Sequence, residues 1–190
     1  MDLINQAIDA EYVFVSVMGP HAQESENEIF SRKIDDVNKS GKSFWVSKIN
    51  KNFVEECRYK LKGKTGYLLL VESSNNGKSA VDTKVSESAT QYSNDKVNWK
   101  DIDWEISPVT GNLGKGATAY YFNGIELCND LIDLNLYGEE CADCGVKFTQ
   151  GRTNVFAKRY KIRRKEGMKS SKRKVVAVAR LIEPYVVWVK

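Results

Sequence analysis

Little in these 190 residues marks a secreted or membrane-spanning chain. No stretch approaches the roughly 18 consecutive apolar residues that a membrane helix needs, so no membrane partner is expected. The start, Met1-Asp2-Leu3-Ile4-Asn5, has neither a basic region nor an apolar run and does not read as a secretory signal. Cysteine is sparse. Cys57, Cys128, Cys141 and Cys144 are too few for a disulfide framework over this length, and without a signal the expectation is reduced thiols and a cytoplasmic location. There is a single histidine, His21, and neither an internal repeat nor a complete catalytic motif. The glycine-rich strings also fall short. Gly77-Lys78-Ser79 has the tail of a phosphate-binding loop, but Glu72 stands where that loop requires its first glycine. Gly111-Asn112-Leu113-Gly114-Lys115-Gly116 lacks the Lys-Ser/Thr ending. Neither frees backbone N–H groups at a helix start to cradle a phosphate.

What is present is an ordinary globular composition with an uneven charge. Hydrophobic residues make up 42% and charged residues 28%, enough for a sizeable core. The net charge of +4 divides unequally. Residues 1–151 hold 16 Lys+Arg against 23 Asp+Glu, a balance of −7, whereas residues 152–190 hold 13 against 2, a balance of +11. Such segregation points to a polyanionic partner or to pairing between the two parts.

The pattern predicts a single domain over 1–190, with an α/β half over 1–79 and a β-rich half over 80–190. Tyr12-Val13-Phe14-Val15-Ser16-Val17 reads as a buried strand. Ser25-Glu26-Asn27-Glu28 fits a capping box opening a helix that Gly41 stops. Phe44-Trp45-Val46 is a second strand, Phe53, Val54, Cys57 and Leu61 are spaced for a second helix, and residues 66–71 form the strongest strand. The first 71 residues thus read β-α-β-α-β, a sheet at least partly parallel. Beyond them, residues 80–85 alternate like a strand, and 86–115 are polar, with Trp99 and Trp104 as the expected core anchors. Residues 117–122, the turn Asn123-Gly124 and residues 125–128 read as a hairpin. Residues 146–149, 153–160, 174–182 and 185–189 are further strands, the last two separated by Pro184. The expected fold class is α/β to α+β: a mixed sheet whose second half is mostly antiparallel, with a partly closed barrel as the variant.

The basic residues cluster in an arm over 158–174: Lys158, Arg159, Lys161, Arg163, Arg164, Lys165, Lys169, Lys172, Arg173 and Lys174, opposed only by Glu166. Strand-like flanks suggest a long hairpin with a basic tip. Lysine and arginine neutralise phosphates and release counterions, so the leading expectation is contact with DNA or RNA, with no preference between them. An acidic protein partner is the other polyanion this charge would suit, in which case Trp45, Trp99 and Trp104 are core.

A second expectation is catalytic. Glu72 ends a strand, a turn follows, and Asp82-Thr83-Lys84 puts Asp82 and Lys84 on one strand face. This resembles the PD-(D/E)xK nuclease pattern, although the first acid is glutamate and no proline precedes it. The resemblance implies that Glu72 and Asp82 would hold Mg²⁺ and Lys84 would position the attacking water. Cys141-Ala142-Asp143-Cys144-Gly145 has the shape of a zinc knuckle, with Cys128 thirteen residues upstream, so Zn²⁺ on Cys128, Cys141 and Cys144 is also weighed; no second CxxC supplies the remaining ligand. His21, after Gly19-Pro20 and close to the first helix, is a candidate general base.

Overall fold

The computed structural model describes residues 2–10, 12–18, 24–47, 54–55, 58–59, 61–72, 87–111, 113, 116–133, 155–158 and 172–190. In chain order these hold α1 (Leu3–Asp9), β1 (Tyr12–Met18), α2 (Glu26–Ser40), β2 (Ser43–Ser47), β3 (Gly66–Glu72), β4 (Glu87–Ala89), β5 (Gln91–Ser93), β6 (Trp99–Asp101), β7 (Val109–Gly111), β8 (Thr118–Asp133), β9 (Val155–Lys158) and β10 (Lys172–Val189). The fold is mixed α+β and mostly sheet, with the main sheet curled into a half-barrel. Its strand order is β2-β8-β10-β3-β1-β9, with β5 and β6 continuing from β10, and β4 and β7 form a separate two-stranded sheet. Only β1 and β3 among these neighbours run parallel.

The centre of the sheet is apolar on both faces because both are covered. On one face Val13, Val15, Tyr67, Leu69, Val71 and Val178 cluster with Ile4 and Ala7 of α1. On the other, Phe14, Met18, Leu68, Leu70 and Ala177 cluster with Ile29 and Phe30 of α2. The two-residue period of each strand sorts these sets. At the far end Phe44, Val109, Ala119, Val187 and Val189 make a third cluster beneath the small sheet. There β7 comes so close that a Cβ on Gly111 would lie 2.5 Å from Val46 Cγ1.

Helix α2 begins where the sequence says it should. Ser25 Oγ accepts from the Glu28 N–H at 3.3 Å, and Glu28 Oε2 accepts from the Ser25 N–H at 2.7 Å. Gly41 ends the helix in the left-handed conformation at φ 73°. The β-α-β-α-β order is seen only in part. Helix α1, which the sequence reading missed, precedes β1, and β2 lies on the opposite side of the sheet from β1, paired with β8. Of the second expected helix only Val54, Glu55, Arg58, Tyr59 and Leu61 are described, with helical backbone. The expected strands over 80–85 and 146–149 lie outside the described residues.

Two expected turns prove to be something else. Asn123-Gly124 closes no hairpin, because β8 runs through it, pairing Phe122 with Leu181 and Gly124 with Arg180. Asn123 is the extra residue of a bulge, and its Oδ1 accepts from Arg180 Nε at 3.1 Å. A bulge and a tight turn draw on the same residue types, and here a long partner strand decides between them. Pro184 likewise does not end a strand. Residues 182–185, with the cis Glu183–Pro184 peptide, form an excursion inside β10, after which pairing with β8 resumes at Val186. The Tyr185 hydroxyl donates to the carbonyls of Leu61 at 2.5 Å and Lys64 at 2.7 Å, tying the excursion to the segment before β3.

The flanks of the basic arm are both strands, β9 and β10, but they are not neighbours: β1 and β3 lie between them. Each is antiparallel to the β1–β3 pair, so they run parallel to one another. Parallel strands are joined by crossovers, and the arm is therefore a crossover connection and not a hairpin.

Candidate functional site

Of the basic residues expected to touch a polyanion, the structure describes the root of the arm. Lys172, Arg173 and Lys174 open β10 and pair with Asp133, Ile132 and Leu131 of β8. Lys174 Nζ stands 3.5 Å from Glu72 Oε1 at the end of β3. This root is close to charge-balanced, since Glu72, Asp130 and Asp133 sit among the three cations. Lys158 closes β9 opposite Tyr12, at the other end of the sheet. Arg159, Lys161, Arg163, Arg164, Lys165 and Lys169 lie outside the described residues.

Glu72 is the one member of the expected nuclease set that is described. It is exposed at the end of β3, with Lys174 as its ion-pair partner. Asp82, Lys84 and His21 lie outside the described residues, as do Cys141 and Cys144. Cys128 sits half-buried on β8, and its Sγ donates to the Val175 carbonyl at 3.4 Å. Burial, reinforced by Asp130, Glu126 and Asp2, pushes this thiol up to about 11, so it stays protonated at neutral pH. A thiol ligand must first lose that proton. Among the described residues, no three His, Cys, Asp or Glu side chains gather as a metal-holding group. None of the described helices is long and apolar enough to cross a membrane.

The most organised polar site was not foreseen. Asp36 and Lys33 are buried on the inner side of α2, where the sequence pattern calls for apolar residues. Asp36 Oδ2 accepts from Ser43 Oγ at 2.7 Å and Ser107 Oγ at 2.8 Å, and Lys33 Nζ stands 3.4 Å away. Asp36 Oδ1 accepts from the Ser107 N–H at 2.7 Å. One carboxylate thus ties α2 to β2 and to the segment before β7, the satisfied arrangement that a buried charge demands. Burial pulls Lys33 down to about 8 despite the opposing pull of Asp36. Next to it, Arg32 holds Glu24 through two bonds, Nε to Oε1 at 2.9 Å and Nη2 to Oε2 at 2.6 Å. Its Nη1 donates to Ser107 Oγ at 3.2 Å and the Pro108 carbonyl at 3.1 Å. The sequence did hold a signal for this cluster: Lys33 and Asp36 lie four and seven positions after Ile29, on its helical face.

Outside this network a shallow cleft of about 490 Å³ opens between α2 and residues 104–108. Trp104, expected to anchor the core, instead stands in solvent at its rim, 88% exposed. Trp99, by contrast, packs against the core as expected.

Comparisons with family models, curated proteins and solved structures find no match to this chain.

Proposed function

We propose that the protein binds nucleic acid, gripping phosphates through the basic segment 158–174. The observation that carries this reading is the charge segregation: 13 basic against 2 acidic residues over 152–190, in a chain otherwise net acidic. The positions of β9 and β10 suit the role, since both ends of the segment are rooted in one sheet. With the root at Lys172–Lys174 nearly balanced by carboxylates, the phosphate contacts fall to residues 158–171.

The test is anisotropy of labelled single- and double-stranded oligonucleotides across a salt series. Affinity is expected to fall steeply with salt, and neutralising Arg163, Arg164, Lys165 and Lys169 together to flatten the log–log slope by about one for each lost phosphate contact, with circular dichroism unchanged. Binding equal to the parent's in that variant refutes the proposal.

A second reading is favoured by Glu72 standing at the root of the segment, 3.5 Å from Lys174. In it, Glu72, Asp82 and Lys84 form a metal-dependent phosphodiesterase site beside the bound strand. It expects Mg²⁺- or Mn²⁺-dependent cleavage that Asp82→Ala abolishes; no cleavage with either metal removes it.

A further inference from the structure

We infer that the cleft beside Trp104 is a second binding site, one that takes a cationic side chain (an arginine or lysine) of a basic peptide segment. Three features of the structure meet there.

The first is a bare indole on a fixed support. Trp104 does not protrude because its segment is loose. The Ile102 N–H donates to the Thr90 carbonyl at 2.8 Å, and the Ile106 N–H to the Asp103 carbonyl at 3.0 Å. Ile106 is buried in the third core cluster, and Ser107 is fixed by Asp36. Backbone anchored on either side of it thus presents this exposed ring at a fixed place on the surface.

The second is how the other indoles are used. Lys96 Nζ lies 3.8 Å from the ring centre of Trp188, Lys190 Nζ lies 4.1 Å from that of Trp99, and Trp45 stacks on Phe30. Among the described residues, neither a cation nor a ring covers Trp104. The protein already pairs two indoles with ammonium groups of its own, and indole is the ring that attracts cations best.

The third is the sign of the charge. Arg32 in the lining is held by Glu24, and Asp36 is matched by Lys33. What remains around the cleft is Glu28, Asp35 and Glu105 against Lys39. This excess of carboxylates repels phosphates and attracts a guanidinium or ammonium. The cleft therefore suits the opposite kind of ligand from the basic segment, and it stands or falls independently of nucleic-acid binding.

The experiment uses two blocked peptides, acetyl-Gly-Arg-Gly-Arg-Gly-amide and the same peptide with citrulline for arginine. Citrulline keeps the shape and removes the charge. Each is titrated into the full-length ¹⁵N-labelled protein, and the indole N–H resonances are followed, that of Trp104 being assigned by its loss in Trp104→Ala. The arginine peptide is expected to move the Trp104 signal saturably and the citrulline peptide to leave it in place. Trp104→Ala, and separately Asp35→Asn with Glu105→Gln, are expected to weaken arginine-peptide binding about tenfold, the size of a cation–π contact with its local charges. All three changed positions are solvent-facing, and circular dichroism checks that the fold is kept. A Trp104 signal that neither peptide moves, equal shifts with both, or unchanged affinity in Trp104→Ala overturns the inference. So does movement of that signal by an oligonucleotide and not by the arginine peptide.

Discussion

At the scale of single residues, the polar interior of α2 decides more than its exposed face. Asp36 is fixed by two serine hydroxyls, one backbone N–H and a buried ammonium. Removing it strands Lys33 in an apolar environment, so Asp36→Ala is expected to cost about 3–5 kcal/mol in denaturant unfolding, the usual penalty for breaking a buried pair. A loss under 1 kcal/mol would mean that the carboxylate carries no structural charge pairing. Lys33 makes a pH prediction. Its folded value of about 8 lies below the ordinary lysine value of 10.5, so the unfolded chain binds more protons between those limits. Stability from this group therefore rises with pH above about 8 and is at its lowest below it. Between pH 8 and 9.5 the parent should gain about 1–2 kcal/mol relative to Lys33→Met, and using the difference cancels the opposing slope from Cys128. Parallel pH profiles for the two proteins would contradict it. The place of Lys33 and Asp36 on the helical face of Ile29 was legible, but their partners were not, because Ser107 lies 71 positions from Asp36 and no local rule joins them. The capping box was legible, since both its partners lie within one turn.

At the scale of elements, the same division recurs. Strands β1 and β3 were evident as apolar runs, and α2 from its cap, period and stop. The long strands β8 and β10 were read as broken because Asn-Gly and Pro are local punctuation, while continuity across them comes from pairing with distant partners. Two tests belong here. Ser25→Ala removes the N-cap acceptor of α2 and is expected to cost about 1 kcal/mol in urea unfolding. Gly111→Ala drives a methyl into Val46, with a loss of about 1–3 kcal/mol expected. Val46→Ala should return part of that loss, giving a double-mutant coupling between strands β2 and β7; simple additivity of the two changes would show that the contact yields without strain.

At the scale of the whole molecule, the basic segment keeps its charge but changes its architecture. Segregated charge is a sum over composition, visible without any fold. Whether strands are neighbours is not, so a crossover was taken for a hairpin. The candidate sites follow the same rule: the basic segment was readable from its sequence, whereas the Trp104 cleft needed the turn that Asp36 fixes. Strand β10 has a further consequence, one that unfolds in time. It follows every other described strand in chain order yet sits between β3 and β8, joining the β3-β1-β9 side of the sheet to the β8-β2 side. On a ribosome, every earlier strand emerges with this slot still vacant, so β3 and β8 each wait with an unpaired edge, the state most open to mispairing. Chains halted before Lys172 are expected to sediment as aggregates, and a synthetic 172–190 peptide supplied during refolding to rescue them into solution. Strand β10 thus enters by insertion, closing a gap that the strands before it must hold open until it arrives.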